Sequence, residues 1–299
     1  MTAPATTTRP ALRVRPATLA DLDAVSAFLA RSLGGEGGPA RYRRLLDYTW
    51  LADKPNIGAL YSRLTIAGHP RAICNLSSWA VDEPCRRASL AMLKCLLDQR
   101  GHTFTTFSAS PQVAEILAVL KFQTARSHKL LFTAAASLVR RPRGEPVEVL
   151  DGADRVAPRL DPDHRQILDD HRPYRCGHVL IERGSRRCYA LTIRRGHGAR
   201  AFADVLYASD PQLFVDAIGA VQAPLFRAHR TVLTGIDLRW IDRPPAFALC
   251  YTALRPVMFR TETPAEPPAV GGQPAAGALP SISARDICAL HSELVTTYG

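Results

Sequence analysis

Residues 72–122 read AICNLSSWAVDEPCRRASLAMLKCLLDQRGHTFTTFSASPQVAEILAVLKF. Ala72 to Val81 reads as a strand. Asp82 to Ala88 is a polar, basic connection. Leu90, Leu93 and Leu97 recur at helical spacing, and His102 to Ser108 alternates as a strand. Ser110 is a good N-cap with Pro111 in the first turn, and Val113, Ile116, Leu117 and Leu120 supply one apolar stripe. Phe122 opens a further extended stretch to Ala135. Strand, loop, helix, strand, helix in this order predicts an α/β chain with a mixed sheet. A loop entering a helix N-terminus offers amides to an anion, and Arg86 and Arg87 add charge. The residues therefore predict a diphosphate or similar anion at Arg86 to Ala91. A solvated surface loop is the competing reading.

Working outward, residues 1–10 read as a disordered tail, and Leu12 to Arg15 suits a short strand. Thr18 and Asp21 form a capping box before Leu22, Val25, Leu29 and Leu33. Gly34, Gly35, Gly37 and Gly38 end that helix, and a second covers Pro39 to Tyr48. Ile57 to Ile66 looks extended, and Ala67 to Pro70 is a turn. Val139 to Pro146 reads as a linker. Beyond it the spacing predicts a helix over Asp163 to Asp170 and a hairpin over Val179 to Ile193, turning at Gly184-Ser185. A strand over Phe202 to Ala208 follows, then a helix from Asp210-Pro211 to about His229. Val232 to Ile236 reads as a strand, and the period of Phe247 to Phe259 is ambiguous. Thr263 to Pro280 is a Pro/Ala/Gly-rich flexible segment, and Ile282 to Val295 reads as a terminal helix. The division is a tail over 1–10, a domain over 11–138 and a second over 147–299 containing the flexible 263–280 segment.

The chain has 299 residues, with 38 Lys+Arg against 27 Asp+Glu and a net charge of +11. Only Lys54, Lys94, Lys121 and Lys129 are lysines, so the surplus is arginine. Apolar residues make up 46%, too many for a wholly disordered chain. No apolar run reaches the length of a membrane span, and residues 1–10 do not read as a secretory signal. Seven cysteines at irregular spacing fit reduced thiols in the cytoplasm. The arginines are dispersed and aromatic residues are 7%, so no nucleic-acid partner is expected.

Residues 12–135 resemble the Gcn5-related N-acetyltransferase (GNAT) superfamily. That family's pyrophosphate loop reads [Gln/Arg]-x-x-Gly-x-[Gly/Ala]. Arg86-Arg87-Ala88-Ser89-Leu90-Ala91 matches it at Arg86 and Ala91 and departs from it at Ser89. Leu120-Lys121-Phe122 stands where the family often shows Leu-Gly-Phe, and Leu117 stands where it often has a tyrosine. Cys74 to Trp79 and His291 to Val295 look like segments of bacterial acyltransferase-like proteins with two GNAT-type halves.

The resemblance implies an acyl-CoA N-acyltransferase-like fold with two GNAT-like domains in tandem. It implies acetyl-CoA or another acyl-CoA as cofactor. The backbone of Asn75 to Val81 would hold the pantetheine arm, with Trp79 and Val81 beside it. Arg86, Arg87, Ala88, Ser89, Leu90 and Ala91 would hold the pyrophosphate, with Ser110 nearby. The expected reaction is acyl transfer to an amine or hydroxyl of a small molecule or sugar. A non-catalytic acyl-CoA-binding or scaffold protein is the alternative. Catalytic candidates are Asn75, Ser78 and Asp82, of which only Asp82 is a carboxylate. The family usually has a hairpin between the second helix and the pantetheine strand, whereas Trp50 to Ala72 leaves room for one clear strand, Ile57 to Ile66, and a poor partner around Trp50, so the sheet has either lost a strand or takes one from the second half.

Two further constellations carry less. His171, Cys176, His178 and Cys188 lack zinc-ligand spacing, and no metal is expected. Arg194-Arg195-Gly196-His197-Gly198 looks like a phosphate loop but precedes a strand pattern, so it reads as a solvated hairpin end.

Overall fold

The computed structural model describes residues 13–66, 69–125, 128–133, 145–252, 255–261 and 282–298. Asp21 accepts the Thr18 amide at 2.9 Å and opens a short 3-10 helix that runs into α1 (Leu22–Leu33). α1 stops at Gly34, whose φ of 64° suits a residue without a side chain. It packs on α2 (Gly38–Leu46), and Leu22, Leu29, Tyr42, Leu45 and Leu46 form one buried cluster. Residues 13–18 make no strand; Leu12 and the tail over 1–10 lie outside the described residues.

A hairpin follows, β1 (Leu60–Ile66) antiparallel to β2 (His69–Asn75). β2 therefore ends earlier than the strand expected to reach Val81. A 3-10 helix (Glu83–Ala88) and α3 (Ser89–Leu97) lead to β3 (His102–Thr106), which is parallel to β2. α4 (Pro111–Val119) is capped as expected: the Ser110 hydroxyl accepts the Val113 amide at 3.3 Å. Next come β4 (Gln123–Ala125) and β5 (His128–Thr133).

The second half runs β6 (Glu148–Asp151), α5 (Ala153–Val156), α6 (Pro162–His171), β7 (Gly177–Arg183) and β8 (Arg186–Arg195). The β7–β8 turn falls at Gly184-Ser185 as read from the sequence, with Gly184 at φ 56°. β9 (Phe202–Ala208) follows, then α7 (Pro211–Asp216), α8 (Ile218–His229) and β10 (Leu233–Asp237). The ambiguous stretch near Phe247 to Phe259 holds two strands, β11 (Leu249–Thr252) and β12 (Val257–Arg260). The terminal helix is shorter than expected. Ile287, Ala289 and Leu290 are buried, Ala289 donates its amide to Leu206, and only α9 (Glu293–Tyr298) is helical after a 3-10 turn over Ala284–Asp286.

The strands form two sheets. One has the order β1-β2-β3-β12-β4, the other β11-β5-β10-β9-β8-β7-β6. Each contains a single parallel pair, β2/β3 in the first and β9/β10 in the second. Each parallel pair is joined through helices, as parallel strands require. The strands next to these pairs are exchanged. β5 comes from the first half and pairs with β10 of the second sheet. β12 comes from the second half and sits between β3 and β4 of the first. The second half does supply a strand, but the sheets do not divide at residues 139–146. That stretch lies between β5 and β6, which belong to the same sheet. Of the two segments read as linker and flexible, residues 139–144 and 263–280 lie outside the described residues.

Exchange fuses the two cores. Phe107, Leu191, Leu206, Val257, Phe259, Ile287 and Leu294 form one buried cluster drawn from both sheets and the chain's end. Phe259 is 2% exposed within it. Phe259→Ala is expected to cost about 3–5 kcal/mol in urea unfolding. Tryptophan fluorescence and far-UV circular dichroism should then report one coincident transition, because neither sheet is complete without the other's strand.

Candidate active site

β2 and β3 pair from Ala72/His102 to Asn75/Thr105. The last bond runs from the Leu76 amide to the Thr105 carbonyl, 2.7 Å. Ser78 then adopts φ 54°, a left-handed turn that carries the chain out of the sheet. On the other side Phe107 to Ser110 leads into α4. A cavity of about 500 Å³ opens between them, lined by Leu76, Ser77, Ser78, Trp79, Thr106 to Ser110, Leu117 and Glu293, with other side chains.

Glu293, the first residue of α9, enters this opening from the far end of the chain. One carboxylate oxygen, Oε1, accepts the Phe107 amide at 3.0 Å and the Ser108 hydroxyl at 2.8 Å. The Glu293 amide donates to Asn75 Oδ1 at 3.2 Å. Asn75 in turn donates through Nδ2 to Thr105 Oγ1 at 3.1 Å. The other carboxylate oxygen, Oε2, is buried with no hydrogen-bond partner among the described residues, and so is Trp79 Nε1. Unpartnered buried polar atoms are costly, and both of these belong to residues that line this cavity. Burial pushes the Glu293 carboxyl above the ordinary glutamate range, against the pull of its bonds to Ser108 and Phe107.

The segment before Glu293 is clamped. His171 Nδ1 lies 2.7 Å from the Ile167 carbonyl, and its Nε2 accepts the His291 amide at 3.3 Å. That pattern needs a neutral imidazole, and burial together with nearby His291 keeps the His171 pKa well below its usual value. His291 Nε2 lies 2.9 Å from Asp170 Oδ2, and Trp50 stacks on His171 and meets His291 edge-on.

The structure brings Asn75, Ser78, Trp79 and Ser110 together, the last three lining the cavity and Asn75 anchoring Glu293. Asn75 is a strut whose amide is spent on Thr105 and Glu293. Asp82, Arg86, Arg87, Leu90 and Ala91 are exposed, Val81, Ala88 and Ser89 are half-buried, and none of these lines the cavity. The stretch read as a loop, Asp82 to Ala88, is a 3-10 helix over Glu83–Ala88 that continues into α3. The Ser89 amide is spent on the Arg86 carbonyl. The helical run thus starts at Glu83, where Asp82 and Glu83 already supply negative charge. Leu117 is buried and lines the cavity. Glu293 lies in the His291 to Val295 segment that carries part of the resemblance, but nothing local marks it as a site residue, because it stands 218 residues from Asn75. A larger groove of about 750 Å³ carries Asp161, His164 and Tyr207, but there His164 bonds both neighbours, at 2.6 and 2.9 Å.

No family model and no curated protein matches the chain. Solved structures share its fold. A conserved protein from Enterococcus faecalis V583 aligns with TM-score 0.53 and 10% identity, over 83% of this chain and 72% of that one. A GCN5-related N-acetyltransferase from Anabaena variabilis ATCC 29413 aligns with TM-score 0.51 and 11% identity, over 82% and 71%. One from Kribbella flavida aligns with TM-score 0.50 and 14% identity, over 83% and 70%. The chain therefore has a GNAT, acyl-CoA N-acyltransferase-like fold, mixed α/β with two mixed sheets.

Glu293 gives a stability test. Its raised native pKa means the folded state binds the proton more tightly than the unfolded chain. The stabilisation this gives is fully present below the unfolded value and is lost as pH rises through the native value. Glu293→Gln keeps an acceptor for Phe107 and Ser108 and cannot ionise. Its melting temperature should match the parent's near pH 4–5 and exceed it increasingly toward pH 8, by thermal scans across that range.

Proposed function

We propose that the protein transfers an acyl group, acetyl in the simplest case, from an acyl-CoA to an amine or hydroxyl of a small molecule or sugar. One observation carries this reading: a buried carboxylate with an unpartnered oxygen stands where two parallel strands of a GNAT fold diverge. The cavity also suits the arm of acyl-CoA. Its walls mix apolar side chains such as Leu76, Leu93 and Leu117 with hydroxyls and arginines, and Trp79 Nε1 offers a donor to a carbonyl of that arm.

Bound acyl-CoA supplies a thioester carbon and a thiol leaving group. The chain's own residues do the rest. Glu293 Oε2 takes the proton from the acceptor nitrogen or oxygen, and burial raises its proton affinity above that of an ordinary glutamate. Asn75 positions Glu293 through its backbone amide, and Phe107 and Ser108 hold the opposite oxygen in place. Leu117 keeps the wall apolar and excludes water without offering a proton. Positioning two reactants in one cavity contributes a further part of the acceleration. Glu293 thus takes the role of base for which Asp82 was the carboxylate candidate. Arg86 to Ala91 remain the proposed seat of the phosphates, with exposed guanidinium groups as the attraction.

A second reading has its own support. Leu117 is no acid, and the Ser89 amide is already bonded within the helix, both of which favour an acyl-CoA-binding protein without turnover. Thiol release from acetyl-CoA across a panel of amines separates the two. Glu293→Gln should lower kcat by about 10²–10⁴-fold, while calorimetric affinity for CoA stays within a few-fold. Arg86→Ala should weaken that affinity. Binding without thiol release by the parent protein would favour the second reading, and no binding at millimolar acetyl-CoA would overturn both.

A further inference from the structure

His291 stands two residues before Glu293 and holds a left-handed backbone, with φ 52°. A residue other than glycine keeps that conformation only where its surroundings over-determine it. Here the surroundings are pins on the backbone. His171 Nε2 accepts the His291 amide, and Asn75 Oδ1 accepts the Glu293 amide. Between them the Ser292 hydroxyl donates to the Ala289 carbonyl at 2.6 Å and accepts the Leu294 amide at 3.2 Å. The turn that delivers the carboxylate is thus held by side chains of His171, Ser292 and Asn75, drawn from both halves of the chain.

His171 is the last residue of α6 and is fully buried. A hydrocarbon side chain would fill the same space without the cost of burying polar nitrogens. The imidazole does something a hydrocarbon cannot. Nδ1 donates to the Ile167 carbonyl and fixes the ring, which leaves the Nε2 lone pair for the His291 amide. Both ring nitrogens are spent inside the protein, so His171 has no atom left to bind a substrate. The ring packs on His291 and Trp50, with centroids 4.5 and 6.1 Å away. His291 and His178 are the titratable groups that act on it. Among the described residues, the charged groups that share the cavity with Glu293 are Arg41, Arg195 and Arg255.

We infer that His171 is a positioning residue for Glu293: its acceptor nitrogen holds the backbone turn that keeps the carboxylate in the opening between β2 and β3. Its part in turnover rests on the reading of Glu293 as transfer base. The lever is short, because only Ser292 separates the pinned residue from the carboxylate. Without the acceptor, the His291 amide is left buried and unbonded, and the left-handed turn relaxes. Glu293 then exchanges its bonds to Phe107 and Ser108 for water. A misplacement of about 1 Å in a reacting group costs about 10²-fold in rate.

Two substitutions in the full chain separate positioning from packing. His171→Leu fills the space without an acceptor, and His171→Gln returns an acceptor oxygen close to the place of Nε2. Each is combined with Glu293→Gln, and melting temperatures are taken from pH 4 to 8 without CoA. The gain from Glu293→Gln toward pH 8 should at least halve in the His171→Leu background, because a solvated carboxyl no longer resists ionisation, and should persist in His171→Gln. With acetyl-CoA and the fastest amine of the panel, His171→Leu should lower kcat by about 10- to 100-fold while KM for acetyl-CoA stays within about threefold. His171→Gln should recover most of that kcat. Nitrogen NMR of the parent's imidazoles, which needs no variant to fold, should show His171 neutral from pH 5 to 8 with its hydrogen on Nδ1. A charged ring, a hydrogen on Nε2, a Glu293→Gln gain unchanged by His171→Leu, or a Gln variant as slow as the Leu variant would overturn the assignment. Loss and recovery of the melting difference with no thiol release for any amine would refute the transferase reading and leave the positioning of Glu293 standing.

Discussion

The contact of Glu293 with Asn75, Phe107 and Ser108 is the constraint on which the rest of the structure turns. It joins the last helix to the point where β2 and β3 part. Burying a carboxyl there is unfavourable in itself, and the two hydrogen bonds it accepts, from Phe107 and Ser108, offset only part of that cost. The surrounding structure has to hold the group in place. It does so through the neutral His171, through the His291–Asp170 pair and through Trp50 stacked between the halves. A group held in an unfavourable state by its framework is a common property of reactive sites.

The same logic explains the strand exchange. If β5 and β12 stayed with their own halves, the core between the sheets would lose Val257 and Phe259 on one side and the β10 partner on the other. With both exchanged, each sheet is completed by the other half. The buried cluster shared by Phe107, Leu206, Phe259 and Leu294 then fixes how the chain's end meets the first sheet. The candidate site and the ion pair of Lys129 with Asp204 lie along this seam, each drawing on both halves. Sites between packed units gather residues that neither unit could supply alone.

Much of this was legible in advance. The capping pairs at Thr18/Asp21, Ser110/Val113 and Asp210/Leu213 are local chemistry, and they mark helix starts in the sequence and in the structure alike. The Gly184-Ser185 turn was readable for the same reason. The misreadings fall where tertiary contacts decide. Asp82 to Ala88 looked like a loop because polar residues follow a strand, yet Pro84 and the arginines continue into α3 as one helical run. Ile287 to His291 has apolar residues at helical spacing, but the Ala289 amide bonds the Leu206 carbonyl and His291 turns the chain with a left-handed backbone, so no helix forms there.

The sequence by itself determined the fold class, most of the helix starts, the β7–β8 hairpin and the region where β2 and β3 diverge. These follow from short-range periodicity, caps and turns, which act within a few residues. It also located Ser78, Trp79 and Ser110 at what became the cavity. Only the tertiary structure decided which strands exchange, which carboxylate faces the opening and which histidine holds the segment before it. Sheet partners and buried charges are chosen by contacts between residues up to 218 positions apart, as for Asn75 and Glu293. No local pattern records such a choice, because it arises only when both halves bury their apolar faces against each other.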